Sequence, residues 1–326
     1  MAQEQIGWGI LSTGRIAGIF AKDLKRLPDA RLVAVGSRSL DKAQAFAQEH
    51  GIERAYGSYQ ELMADPDVDI IYVATPHPFH HENTIACLEH GKAVLCEKPM
   101  GINERQVREM AATARQRNVF LMEAMWTRCL PVTRQAREWL AERRIGEVRI
   151  LTADFGFRAA WDPQSRLLNP ELGGGALLDV GIYVLAYASM VMGPEPCELS
   201  ATAEIGETGV DVQTAIIQKC ADGALGLLSC AVRVNTPQDV RIFGTEGSIY
   251  VPGFWHATRA ELRVNGQEPV EITEPVGYHY EAAEAMACLR AGKTESACMP
   301  LNESITVAGT MDRVRRLIGL TYPMEA

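Results

Sequence analysis

The sequence has no C-x-x-C pair among its eight cysteines, which lie at 87, 96, 129, 197, 220, 230, 288 and 298. That excludes a zinc ribbon and a thioredoxin-type redox motif. An even cysteine count argues for disulfides only in small secreted chains, and this chain has 326 residues. Met1-Ala2-Gln3-Glu4 shows no basic-then-apolar leader, so reduced, mostly buried thiols in a cytoplasmic protein are expected. The longest stretch without a charge runs from 180 to 194. A bilayer span needs about 20 apolar residues, so a buried helix is expected and no membrane. Positive charge is also scarce. With 32 Lys and Arg against 41 Asp and Glu, the net charge is -9, which gives no pull toward nucleic acid. No linker rich in Pro, Gly or Ser, no internal repeat and no low-complexity tract interrupts the chain.

What remains is an ordinary globular composition, 47% hydrophobic and 22% charged. At about 150 residues per domain the length predicts two domains. Through residue 126, short apolar runs at 6–11, 31–37, 70–74, 93–96 and 120–124 alternate with helical runs at 15–27, 40–50, 59–64, 80–90 and 104–117. That alternation predicts βαβ units and a doubly wound parallel sheet. The pattern changes near 126, so the expected domains are 1–125 and 126–326.

Four places in the first domain carry chemistry. The first strand runs into Ser12-Thr13-Gly14-Arg15-Ile16-Ala17. A dinucleotide fingerprint wants G-x-G-x-x-G/A there, and the first glycine is a serine. Gly14 permits close approach of a pyrophosphate, and the next helix aims its N-terminal N–H groups at it. The second strand ends in Ser37-Arg38, with Lys42 a turn further on. An NAD site usually places a carboxylate at that position, whereas a guanidinium suits a 2′-phosphate, so NADP is expected over NAD. The third place is the loop Thr75-Pro76-His77, followed by His80. The fourth is Glu97-Lys98-Pro99, with a lysine at the end of an apolar strand. Both loops fall at strand C-termini, where open α/β sheets bind ligands. No metal is expected, because His80 and His81 are adjacent and diverge on a helix.

These residues, at these separations, resemble the Gfo/Idh/MocA oxidoreductases. Two later segments extend the resemblance over nearly the whole chain: Glu123-Ala124-Met125-Trp126-Thr127-Arg128, and Gly173-Gly174-Gly175-Ala176-Leu177-Leu178-Asp179-Val180-Gly181-Ile182-Tyr183. Family members commonly carry Asp-x-x-x-His on that last helix. Tyr183 in place of the histidine resembles the branch of dimeric dihydrodiol dehydrogenase and NADP-dependent D-xylose 1-dehydrogenase.

The resemblance implies a C-terminal α/β domain with an open, mostly antiparallel sheet that serves substrate binding and dimerisation. The sequence supports the sheet on its own terms. Strand-like runs recur from 148 to 264, with Asp222-Gly223 and Asn265-Gly266 as hairpin turns. Helical runs at 280–291 and 303–319 close the chain, with Arg313, Arg315 and Arg316 read as a solvated, dipole-complementing end.

Asp179 and Tyr183 are spaced i, i+4 and share a helix face. Oxidising a carbinol needs a base for the hydroxyl proton, and a free tyrosine, with a pKa of about 10, is too weakly acidic for that work at neutral pH. A nearby ammonium lowers it. Tyr183 is therefore expected as general acid/base, Lys98 as its assistant and Asp179 as their orienter. Trp126, Phe157, Trp161 and Trp255, with Arg128 and Arg158, are expected to line a substrate pocket for a sugar or diol. Two other readings stand beside this one: a non-catalytic NADP-binding regulator, and an NAD-dependent inositol-type dehydrogenase. A homodimer or higher homo-oligomer is expected through the open sheet face.

Overall fold

The computed structural model describes residues 5–193 and 195–325. Met1-Ala2-Gln3-Glu4, where a leader would begin, lies outside the described residues. The chain divides into two compact units. The first gathers the residues up to Gly101, Arg105–Trp126 and Gly277–Leu301; the second gathers Ile102–Glu104, Thr127–Val276 and the residues from Asn302 onward.

The first unit alternates β1 (Ile6–Leu11), α1 (Arg15–Leu24), β2 (Ala30–Gly36), α2 (Leu40–His50), β3 (Arg54–Tyr56), α3 (Tyr59–Ala64), β4 (Ile70–Val73), α4 (His80–Glu89), β5 (Ala93–Glu97), α5 (Glu104–Arg117) and β6 (Leu121–Ala124). All six strands pair in parallel, in the order β3-β2-β1-β4-β5-β6. β1, β4 and β5 are buried at every position. A parallel strand covered on both faces reads as an unbroken apolar run, which is why these segments stand out in the sequence. In α1 the buried residues Ala17, Phe20, Ala21 and Leu24 fall at the spacing of one helical stripe. Strand order reverses between β1 and β4, and the crevice outside their C-terminal ends is the ligand-binding position of such sheets.

The second unit is built on α6 (Pro131–Ala141), β7 (Val148–Gly156), α7 (Ile182–Met192), β8 (Glu198–Ile205), β9 (Asp211–Lys219), β10 (Leu225–Ala231), β11 (Val240–Gly244), β12 (Gly247–Val251), β13 (Arg259–Val264) and β14 (Val270–Thr273). Two further helices follow: α8 (His279–Arg290), which falls in the first unit, and α9 (Leu301–Ile318). The eight strands form one sheet in the order β14-β13-β12-β11-β7-β10-β9-β8. Only β7 and β10 pair in parallel. β9 alternates buried and exposed residues with period two, so one face is covered and the other open. α7 is buried from Ile182 through Ser189 and is apolar all round, as a core helix is. The stretch Pro170–Met192 is long and apolar enough to cross a membrane, yet its apolar window is 83% buried inside the fold.

β3, α6 and β14 lie outside the runs expected from sequence. The end of α9 also departs from expectation. Arg315 is not solvated: it is buried, held by Asp312 and Glu325, while Arg313 donates to the Pro196 carbonyl. Seven of the eight cysteines are buried, and Cys197 is exposed.

Candidate active site

In the first unit, Ser12 follows β1 with φ at +105°, a backbone conformation that favours glycine. Its N–H still donates to the Gly36 carbonyl at 2.9 Å, so the turn keeps the fingerprint's path despite the serine. Gly14 has an ordinary φ of -74°. A Cβ there would meet nothing closer than the Ser12 Oγ at 3.8 Å. Neither backbone nor neighbours demand this glycine, and the open space in front of it fits a closely approaching diphosphate. Gly14 caps α1 with no side-chain hydrogen bond, which leaves the first N–H groups of a ten-residue helix facing that space. Thr13, Arg15 and Ile16 are at least partly exposed beside it.

At the end of β2, Ser37 is buried and Arg38 exposed. The Arg38 guanidinium lies 5.9 Å above the Phe79 ring, and its charge acts on Tyr59 nearby. Ser39 accepts the N–H of Lys42 and so caps α2, leaving the Lys42 side chain on the exposed first turn. No carboxylate ends the strand.

The loops after β4 and β5 face each other through His80. This wholly buried ring sits 2.7 Å from the Thr75 carbonyl and 2.8 Å from the Pro99 carbonyl. Burial pulls its pKa below the ordinary value, against the two carbonyl contacts. His77 lies beside it at 5.8 Å, ring to ring, and Pro76 is exposed. Glu97 points inward. It accepts a hydrogen bond from the Tyr72 hydroxyl, and its other oxygen accepts the Lys98 N–H at 3.2 Å. The Lys98 side chain is half-buried at the strand end. Deeper still lies Glu281 of α8, fully buried, with neither carboxyl oxygen hydrogen-bonded. Burial, and then the proximity of Glu97, pushes its pKa well above the ordinary carboxylate value.

In the second unit, α7 is preceded by a π-helical turn, Leu177–Gly181. The turn is pinned from β9: the buried Asp211 carboxyl accepts the Leu177 N–H at 2.8 Å and the Thr214 hydroxyl at 2.7 Å. Burial raises Asp211 to about 6. Asp179 and Tyr183 are both buried, 4% and 6% exposed. Asp179 takes a hydrogen-bonded ion pair from Arg166. The Tyr183 ring meets Phe155 edge-on at 5.3 Å, and Phe155 stacks on Trp255 at 5.2 Å. Trp255 is fixed by a 2.7 Å hydrogen bond from its indole N–H to Gln238, and Phe157 adds a half-buried ring 6.4 Å from Phe155. The result is an aromatic wall running away from the tyrosine.

The other expected pocket residues have neighbours of their own. Trp126 belongs to the first unit and stacks on Tyr278 at 4.2 Å. Arg128 is buried and paired with Glu303, which also accepts the Ser189 hydroxyl at 2.7 Å. That is an internal strut. Trp161 is 44% exposed, with Arg233 over its ring at 5.4 Å. Arg233 continues the outward series Leu225, Leu227 of β10, so Trp161 stands at the open side of the sheet, opposite Phe155 and α7. There it lines a cleft of 480 Å³ with Glu204, Glu207 and Arg233. Arg158 is exposed, with its backbone bridged to Arg233. Phe155, Arg166, Asp211 and Glu281 are the residues that the motifs did not point to.

A family model described as an oxidoreductase family with an NAD-binding Rossmann fold matches residues 6–125, and the GFO/IDH/MocA C-terminal domain matches 133–250. Trans-1,2-dihydrobenzene-1,2-diol dehydrogenase of Xenopus laevis is 42% identical over 330 residues, spanning 97% of this chain and 99% of that protein. The Homo sapiens protein of the same name is 40% identical over 332 residues, 98% of each chain. Among solved structures, the aldose-aldose oxidoreductase from Caulobacter crescentus, complexed with glycerol, superposes with a TM-score of 0.87 at 25% identity, covering 96% of this chain and 97% of that one. KijD10, a 3-ketoreductase from Actinomadura kijaniata in complex with NADP and TDP-benzene, gives 0.84 at 26% identity, covering 97% and 98%.

Proposed function

The chain belongs to the Gfo/Idh/MocA oxidoreductases and is an enzyme acting on CH–OH groups; from that premise we propose an NADP-dependent dehydrogenase of a cyclic polyhydroxylated substrate. That substrate is a trans-dihydrodiol, the class named in its relatives, or an aldopyranose oxidised at C1. The observation that carries this reading is the π-turn, which buries Asp179 and Tyr183 together at the foot of the Phe155–Trp255 wall. Aromatic faces suit the C–H faces of a sugar or of a dihydrobenzene ring alike.

When bound, the nicotinamide supplies the hydride acceptor in oxidation and the donor in reduction. The chain's own residues manage the proton and the geometry. Tyr183 Oη takes the hydroxyl proton in oxidation and returns it to the carbonyl oxygen in reduction. The Lys98 ammonium stabilises the phenolate and the developing alkoxide. Asp179 holds the orientation of the pair. Ser12, Thr13, Gly14, Arg15 and Ile16 cradle the diphosphate, with Thr75, Pro76 and His77 along the crevice. Ser37, Arg38 and Lys42 receive the 2′-phosphate, which is why NADP is preferred. His80 and Glu97, both turned inward, support these loops from behind.

The enzyme is further proposed to be a homodimer. Ile150, Ile217, Leu225, Leu227 and Phe243 are exposed on the open sheet face. Register sets Ile150 between Leu225 and Phe243, and Leu227 beside Ile217. Such a row in water invites a second copy. A monomer in sedimentation at micromolar concentration would refute it. Eight cysteines outside any disulfide fit a reducing, cytoplasmic setting.

The test of the activity is reduction of NADP⁺ and of NAD⁺ by a trans-dihydrodiol, D-xylose, D-glucose and myo-inositol, followed by absorbance. NADP⁺ reduction by a dihydrodiol or pyranose is expected. Tyr183→Phe should then lower kcat by about 10²–10⁴ with NADPH binding intact. A variant within tenfold of wild type would refute the tyrosine's role.

A further inference from the structure

Arg166 sits in a surface loop, and its side chain is 57% exposed. Even so, the backbone around it is braced on both sides. The Ser165 carbonyl accepts the Asn169 N–H at 2.9 Å, and the Leu167 carbonyl accepts the Gly175 N–H at 2.8 Å. Leu168 is wholly buried. The Gly173-Gly174-Gly175 run makes this packing possible. A Cβ on Gly174 would stand 2.9 Å from both the Leu167 and the Asn169 carbonyl oxygens. On Gly175, where φ is +115°, a Cβ would stand 2.3 Å from Asp211 Oδ1. The loop therefore lies directly on the π-turn, and the guanidinium arrives at the Asp179 carboxyl.

Asp179 is a buried carboxylate, and a buried charge is costly without a partner of opposite sign. It also shares a helix face with Tyr183, and an unbalanced carboxylate there disfavours a phenolate. We propose that Arg166 is a positioning residue of the reaction: it cancels the charge of Asp179 and so sets the pH at which Tyr183 gives up its proton. This rests on the reading of Tyr183 as the acid/base. Beside Lys98, whose ammonium the proposed mechanism already sets against the phenolate, other titratable groups stand on elements packed against the turn. Asp211 is bonded to Leu177 and Thr214, the Cys230 thiol beside Gly181 is held protonated by burial, and Arg128 near Tyr187 is matched by Glu303. The Tyr322 hydroxyl donates to the Gly174 carbonyl, and His256 stacks on Trp255.

The experiment is an ultraviolet difference titration of the Tyr183 phenolate, with the matching Tyr183→Phe protein as blank, in the wild type, Arg166→Gln, Arg166→Lys and the double variant Arg166→Gln/Asp179→Asn. Removing the cation should raise the tyrosine midpoint by about one pH unit. Arg166→Lys should restore most of the wild-type midpoint, and the double variant should return toward it. In turnover, Arg166→Gln should lose about tenfold in kcat/KM at neutral pH and recover at higher pH, with the KM for cofactor unchanged. Two results would overturn the proposal: no midpoint shift in Arg166→Gln, or a shift that survives Asp179→Asn. If Tyr183→Phe itself stays active, the acid/base reading fails instead, and the titration still reports on the Arg166–Asp179 pair.

Discussion

Asp211 offers a prediction whose size and pH dependence both follow from its surroundings. It is fully buried, accepts the Leu177 N–H and the Thr214 hydroxyl, and its pKa is raised to about 6, chiefly by burial. Asp211→Ala strands both donors in the interior, at about 1–3 kcal/mol each. In the wild type the folded-state pKa lies above the unfolded value of about 3.9, so folding takes up a proton between about pH 4 and pH 6. The stability this group contributes is fully present below about pH 4 and is lost as pH rises through about 6. At about 1.4 kcal/mol per pH unit, the loss over that window is about 3 kcal/mol. The alanine variant has no such proton, and every other titrating group cancels in the comparison. Wild type should therefore exceed the variant by about 2–6 kcal/mol at pH 4.5, and the gap should narrow by about 2–3 kcal/mol at pH 7.5. Urea unfolding of both proteins at pH 4.5, 5.5, 6.5 and 7.5 (about one-unit steps across the titration) measures the gap. A gap constant to about 1 kcal/mol over this range would refute the reasoning.

Three further outcomes are expected. Glu281→Gln mimics the protonated carboxyl of the folded state; because the folded pKa is raised above the unfolded value of about 4.3, its stability relative to wild type should be flat below that pH and rise steadily above it. Thermal unfolding from acid to alkaline pH checks this, and a variant equally stable relative to wild type throughout would contradict it. Glu303→Ala removes the carboxylate paired with the buried Arg128 guanidinium and should cost about 3–5 kcal/mol in urea unfolding; a loss below about 1 kcal/mol would make the pair incidental. Arg38→Ala should raise the KM for NADP⁺ and leave that for NAD⁺ within about threefold, since one charge-assisted contact is worth about 1.5–3 kcal/mol; equal effects on both cofactors would deny it contact with the 2′-phosphate.

The parts of this fold legible in the sequence are those where one local rule governs. β1, β4 and β5 are buried on both faces, so continuous apolar runs mark them without help from distant residues. β9 and β10 alternate around Asp222-Gly223, and Gly223 takes the positive φ that such a turn needs. Asp179 and Tyr183 show their shared face through spacing alone. Ser12 is instructive because the motif breaks there in residue type while the backbone conformation persists at φ +105°. Illegible were the polar residues whose meaning depends on a distant partner. Nothing near Arg128 in the sequence announces its pairing with Glu303, 175 positions away. Glu281 looks like an ordinary residue on the first turn of a helix until α8 is found in the first unit near Glu97. Trp161 gives no sign in the sequence of its place on the open side of the sheet, which strand parity of its Arg233 neighbour sets.

The glycine run at 173–175 shows why such residues escape a local reading. Its missing side chains let the Arg166 turn and Asp211 close on the π-turn from two sides. One brings a cation to Asp179, and the other a pinning carboxyl to Leu177. In the sequence, Asp179 and Tyr183 stand out by their spacing alone. In the fold, their setting depends equally on Gly174 and Gly175, where a Cβ would stand 2.9 Å from the Leu167 and Asn169 carbonyl oxygens and 2.3 Å from Asp211 Oδ1.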